Sequence, residues 1–290
     1  VRIDLDTCYP NLVLFAGTTP NIGTTSCAFS MAATLAQGAP HLTVAYLCLN
    51  LKSSKIARYL RLSEADQGLS AMRVDLKART LTSERLDQYV SRLRRFPNLR
   101  VLNGNMQREQ AELYMPEDIE HLLAIASQTY DICVVDCNAY WDNAATIISV
   151  MRAGVRLLVT TPALDAFQDD LNGWLIQAGS LFGVMPQQFQ LIVTQSARHT
   201  DEYRASDVGA STGLDVVGTV PYDRQLASDM QLGQLHEWCD RKRSLSLRQI
   251  EQIAGRIAAQ LGIVWSAKGE PRKQMKLPFR SLKRQVGVNG

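Results

Sequence analysis

Seven short apolar runs punctuate the 290-residue chain, at residues 12–16, 42–49, 99–103, 131–136, 155–160, 190–194 and 216–220. They are rich in Val, Leu and Ile and show little apolar–polar alternation. A strand with one wet face alternates, so these runs read as strands buried on both faces of a parallel sheet. Helical patterns lie between them, at 24–37, 83–95, 116–129, 144–152, 165–182, 203–211 and 245–261. Strand and helix in regular alternation predict an α/β fold, a doubly wound and mostly parallel sheet with helices on both faces. Ligands of such sheets bind beyond the carboxyl ends of the strands. The segments after Ala16, Leu49, Asp136, Thr160 and Val220 are therefore the places to look for chemistry.

The first of these segments reads Gly17-Thr18-Thr19-Pro20-Asn21-Ile22-Gly23-Thr24-Thr25-Ser26 and opens an Ala-rich helix. A glycine-bearing loop between a strand and a helix can wrap backbone N–H groups around phosphates. A full P-loop adds a lysine for the β and γ phosphates and a Ser/Thr for magnesium. Thr25 can take the magnesium position, but Thr24 stands where the lysine belongs. The two glycines are also one residue further apart than in the standard motif. The anion nest survives in this reading and its point charge does not.

The order of segments resembles the MinD/ParA family of deviant Walker-A ATPases, and within it the branch of the pilus-assembly proteins CpaE and TadZ. The resemblance covers about residues 12–261. The family loop K-G-G-x-G-K-[ST] matches Thr19-Pro20-Asn21-Ile22-Gly23-Thr24-Thr25, so threonines replace both lysines. The second-strand pattern V-D-L-D matches Leu47-Cys48-Leu49-Asn50, which puts Cys48 where the family has its water-activating Asp. "YDICVVDCNAYWDNAA" resembles the Walker-B segment and puts Asp136 at the magnesium-side carboxylate, without the Pro and Gly that usually follow. "LIVTQSARHTDEY" places Thr194 where an Asn reads adenine. "LDVVGTVPYDRQLASDMQLGQ" implies that Pro221 and Asp223 border the base. The resemblance thus implies a MinD/ParA-like domain over 1–264. Its nucleotide contacts would be Gly17, Asn21, Gly23, Thr24, Thr25, Ser26, Thr194, Pro221 and Asp223. Magnesium would lie at Thr25 and Asp136. ATP with magnesium is the ligand it admits, and the residues themselves require no cofactor.

The losses bear directly on catalysis. Without a lysine, charge developing on the γ-phosphate has no fixed partner, and without a carboxylate at Cys48 the attacking water is not oriented. No catalytic residues are expected at the degenerate positions Thr19, Thr24, Cys48 and Asn50. Two readings stay open: nucleotide binding without turnover, and a loop retained only as a fold element.

A basic extension, 265–290, follows, with a linker at 265–271. Between Lys268 and Gly290 there are seven basic residues and one acid, so this segment carries +6 and the rest −3 of the net +3. Lys276, Phe279, Arg280, Leu282, Lys283 and Arg284 mix cations with large apolar groups, as segments that touch anionic membranes or a partner do. No apolar run approaches the ~18 residues of a membrane span, and "VRIDLDTCYPN" has no signal-peptide core. A cytoplasmic location is expected, peripheral to the inner face of the membrane if the tail binds it. The start at Val1 fits removal of a start residue or an upstream domain. The six scattered cysteines read as reduced and buried. Arg92, Arg94 and Arg95 read as the solvated end of helix 83–95, and the four histidines share no ligand spacing.

The function this implies is a degenerate pseudo-ATPase scaffold or localisation factor, working as a homodimer in a bacterial pilus or secretion assembly. Two alternatives stand beside it. One is a working ATPase that borrows Lys52, Lys55 or a tail cation. The other is a partition protein that binds DNA, the less favoured partner, through the tail.

Overall fold

Alternate residues of the first strand, β1 (Tyr9–Gly17), face opposite sides of a sheet: Leu12, Leu14 and Ala16 enter one core, Val13 and Phe15 the other. All five are fully buried, which is why the run is apolar throughout. The structure is a computed structural model. It describes residues 7–267 except 53, 63–67, 106, 138, 141, 195–202 and 242–243, with backbone only for 177–181. The basic residues 268–290, including Lys276, Phe279, Arg280, Leu282, Lys283 and Arg284, lie outside the described residues, as does His199.

The remaining strands are β2 (Val44–Cys48), β3 (Ser91–Leu93), β4 (Phe96–Leu102), β5 (Ile132–Asp136), β6 (Ala153–Thr160), β7 (Phe189–Thr194) and β8 (Asp215–Val220). They make one sheet in the order β3-β4-β2-β5-β1-β6-β7-β8. Every pairing is parallel except β3 with β4. The helices are α1 (Thr24–Gly38), α2 (Ile56–Leu60), α3 (Leu69–Ala78), α4 (Ser83–Tyr89), α5 (Pro116–Thr129), α6 (Ala144–Arg152), α7 (Leu171–Phe182), α8 (Ala205–Thr212), α9 (Arg224–Gln231), α10 (Leu235–Trp238) and α11 (Leu245–Gln260). The core that takes Val13 and Phe15 is closed by α1, α2, α9, α10 and α11, and the other core by α3 to α8. This is the doubly wound, mostly parallel sheet that the apolar runs predict.

One expected helix is shorter than predicted. The pattern 83–95 ends at α4, where Val90 turns extended (φ −96°, ψ 143°), and the chain continues as the edge strand β3. Ser91 and Leu93 are buried while Arg92 is exposed, a period of two. Pairing with β4 at the sheet edge outweighs local helix propensity. Arg92 therefore lies on a strand and pairs with Asp87, and Arg95 pairs with Asp240 at 3.0 Å. The 165–182 helix begins as a wide turn, Asp165–Asp170, before α7. All six cysteines are free, but Cys8 is exposed rather than buried.

Past α11 the chain folds back onto α1. Trp265 Nε1 donates to the Thr34 carbonyl and the Ser266 amide to the Gly38 carbonyl, both at 3.2 Å. A β-carbon on Gly38 would stand 2.0 Å from Trp265 Nε1. Gly38→Ala gains about 1 kcal/mol of helix propensity but must expel the indole, at about 1–3 kcal/mol of lost packing. A net loss on the order of 1 kcal/mol is expected in urea unfolding. A more stable variant would show that the ring is not needed there.

Candidate functional site

Gly23 sits at the turn into α1 with φ 94° and ψ 15°, a left-handed conformation that favours glycine, and Asn21 is left-handed too, at φ 65°. No side chain caps the α1 N-terminus, so its first-turn amides are left for another acceptor. The loop around them is held from three sides. Thr18 N donates to the Val159 carbonyl (2.9 Å), the Thr194 hydroxyl to the Ile22 carbonyl (2.8 Å), and the Ser26 hydroxyl to the Gly23 carbonyl (2.8 Å). Gly17 has a packing reason as well, since a β-carbon there would meet Thr24 Oγ1 at 2.5 Å.

The loop forms one side of a cleft of about 730 Å³ at the carboxyl edge of the sheet. Residues 19–26 line it, together with Asn50 and Lys55 after β2, Cys137 after β5, Thr161 after β6, Thr194 at the end of β7 and Pro221 and Asp223 after β8. The structure therefore brings to one place the strand-end segments that the fold class singles out. Asn21, Gly23, Thr24, Thr25, Ser26, Thr194, Pro221 and Asp223 all face the cleft, as do the replaced positions Thr19 and Asn50. Gly17, Cys48 and Asp136 are buried and do not line it.

Period-two geometry explains the buried group. Tyr46 and Cys48 on β2 and Asp136 on β5 all point to the α1 side, with Cys48 in register with Asp136. The Tyr46 hydroxyl donates to Asp136 Oδ2 at 2.6 Å, and Cys48 Sγ lies 3.3 Å from the Ser54 hydroxyl. Burial raises the Asp136 carboxyl to about 6, with the Tyr46 and Thr25 hydroxyls pulling the other way. Burial, then the Asp136 charge, pushes the Cys48 thiol up to about 12. Cys48 is thus a neutral thiol across from Asp136 and cannot orient a water as a carboxylate does. Asp136 Oδ1 is buried without a hydrogen-bond partner. With the Thr25 hydroxyl it offers the hard oxygens that Mg²⁺ prefers. Among the described residues no three His, Cys, Asp or Glu side chains are grouped to hold a metal. Magnesium here would need phosphate and water oxygens as well.

Two residues expected at the base have structural duties. Thr194 ties the loop to the sheet, since its hydroxyl also lies 3.1 Å from the Thr160 carbonyl. Asp223 caps α9 by accepting from the Gln225 and Leu226 amides (2.9 and 3.0 Å), and accepts from Trp238 Nε1 at 3.3 Å and from Ser244. Burial would raise its carboxyl. The Ser244, backbone and Trp238 hydrogen bonds outweigh burial and hold the pKa below the usual value. Sequence reasoning missed Tyr46, Tyr59, Tyr140 and Met230. Tyr46 stands two residues before Cys48 and Tyr59 four after Lys55, spacings that mark one face of a strand and of a helix.

No protein-family model matches the chain. It is 24% identical over 240 residues to the septum site-determining protein MinD of Oltmannsiellopsis viridis, a match covering 78% of this chain and 71% of that protein. A MinD of Nephroselmis olivacea matches at 24% over 151 residues, 52% of this chain and about half of its own length, 54%. The ParA family ATPase of Chlorobium tepidum superposes with a TM-score of 0.72 at 19% identity, over 84% of this chain and 98% of that one. A plasmid partition protein of Borrelia burgdorferi, bound to AMPPNP, superposes at 0.65 and 12% identity, over 87% and 99%. At these identities the superpositions establish architecture: the chain has the fold of the MinD/ParA P-loop ATPases.

Proposed function

We propose that this protein is a MinD/ParA-type scaffold or localisation factor that binds a nucleotide at residues 17–26 without hydrolysing it efficiently. The observation that carries the reading is the pairing of an open cleft and uncapped α1 amides with a centre that has neither the loop lysine nor the second-strand carboxylate. Thr24 replaces the lysine, and a neutral Cys48 thiol faces Asp136. Backbone N–H groups still suit phosphates. Loss of one key electrostatic donor typically costs about a hundredfold or more in rate, and here several are gone. Mg²⁺, held by Thr25 and Asp136, would neutralise phosphate charge when bound.

Dimerisation fits a neutral loop, because two opposed loops without lysines do not repel one another. The pilus or secretion setting rests on the motif resemblance alone. A role for the basic tail at an anionic membrane rests on its composition. No helix among the described residues is long and apolar enough to cross a membrane.

The test is calorimetric titration with ATP and ADP, with and without magnesium, beside a phosphate-release assay and mass measurement in solution. Micromolar binding is expected, with turnover at least about a hundredfold below that of a lysine-bearing protein of this fold assayed alongside. Absence of both heat and thermal shift would reject nucleotide binding. Rapid turnover would reject the loss of hydrolysis.

A further inference from the structure

The cleft lacks the loop lysine but not a cation. Its two ends differ in chemistry. Towards β8 it is lined by Thr194, Val220, Pro221, Leu226, Ala227 and Met230, and the nearby Asp223 carboxylate is taken up by capping. Towards β2 it is lined by Asn50, Lys55, Tyr59 and Tyr140. Lys55 is the one Lys or Arg among the described lining residues.

The neighbouring Lys52 is committed elsewhere. It pairs with Asp142 and lies 5.1 Å from the centre of the Tyr140 ring, and its amide donates to Asn50 Oδ1 at 3.1 Å. These contacts anchor the loop that carries Lys55. Lys55 itself is exposed at the start of α2, whose Ile56, Ala57 and Leu60 are buried and hold the backbone in place. Among the described residues no ion pair joins Lys55 to an acid. One helical turn on, Tyr59 lines the same end. Burial, the largest effect, raises its pKa, so its hydroxyl stays a donor at neutral pH.

We propose that Lys55 is the counter-cation for the terminal phosphate of the bound nucleotide, standing in from α2 for the lysine absent at Thr24. The largely apolar β8 end, whose Asp223 carboxylate is taken up by the α9 cap and by Trp238, suits a base. The polyphosphate then runs over the α1 amides towards the only mobile positive charge lining the described cleft. A charge reached only by the last phosphate makes the cleft prefer a triphosphate to a diphosphate. Lys55 supplies binding and not water activation, so slow turnover is retained. The inference rests on nucleotide binding at residues 17–26.

The experiment titrates ATP, ADP and inorganic tripolyphosphate into the wild-type chain and into Lys55→Met, Lys55→Arg and Lys52→Met, at several salt concentrations. Charge-assisted hydrogen bonds of this kind are worth about a tenfold to hundredfold change in affinity. Lys55→Met is expected to lose that factor for ATP and tripolyphosphate and little for ADP, with a shallower salt dependence. Lys55→Arg is expected to recover most of it. Lys52→Met removes the same formal charge nearby and is expected to cost less. Thermal unfolding of Lys55→Met should match wild type, since the side chain is exposed. ATP binding by wild type with an unchanged Lys55→Met would overturn this inference alone. No nucleotide binding by wild type would overturn it together with the reading on which it rests.

Discussion

Trp238→Ala is expected to cost about 3–5 kcal/mol of stability, as large-to-small changes at buried aromatics do. Trp238 is 1% exposed and packs into the core on the α1 side of the sheet with Leu235 and Cys239. Its indole also donates to Asp223, the residue that caps α9 and accepts from Ser244 before α11. Truncation therefore opens a cavity and loosens the junction that forms the β8 end of the cleft. For a protein of this size each kcal/mol moves the midpoint by roughly 2–4 °C, so a drop on the order of 10 °C is expected by calorimetry or fluorescence. A loss below about 1 kcal/mol would mean that α10 can be remodelled without harm to the core.

The second large effect is on Asp136 and depends on pH. Its folded pKa is raised to about 6 by burial, against about 3.9 in the unfolded chain. For an acid with a raised folded pKa, the native state holds its proton longer than the unfolded state does. Stability from this group is then present below about pH 4, falls as pH rises from 4 to 6, and stays lost above. Two units correspond to roughly 3 kcal/mol. Asp136→Asn removes the buried charge while keeping a carbonyl for the Tyr46 hydroxyl. Its NH₂ group faces an unpartnered position, at a cost of about 1–2 kcal/mol. The variant is expected to be more stable than wild type by about 1–2 kcal/mol at pH 7.5, with no decline between pH 4 and 6. Urea unfolding at four pH values would check both. A wild-type profile that rises through that window would show the buried carboxylate to be charge-compensated.

Most of the strand order in the chain was readable because the strands are buried on both faces. Val13, Tyr46, Val134 and Ile192 each have apolar residues on both sides in the chain, so neither core can be mistaken for surface. The edge was harder. The segment after Tyr89 has local helix character and becomes β3 only because β4 offers it hydrogen bonds. The loop was legible in type: Gly23, Thr24 and Thr25 follow a strand and open a helix. Its supports were not, because Thr194 and Val159, which hold it, are distant in sequence.

The doubly wound architecture was already legible in the apolar runs that alternate with helical patterns. The sequence also shows that the loop carries threonine where a phosphate-binding lysine belongs, since residue type and spacing are local properties. Which charges meet is a property of the folded chain. Lys52 and Lys55 are three residues apart and equivalent on paper, yet one is latched to Asp142 and the other faces the cleft. Likewise burial makes Cys48 a neutral thiol and Asp136 a weaker acid, while the Tyr46 hydroxyl, ninety residues from Asp136 in the chain, opposes the shift of that carboxyl. Ionisation and charge pairing depend on distance and dielectric, and those exist only once the chain is folded.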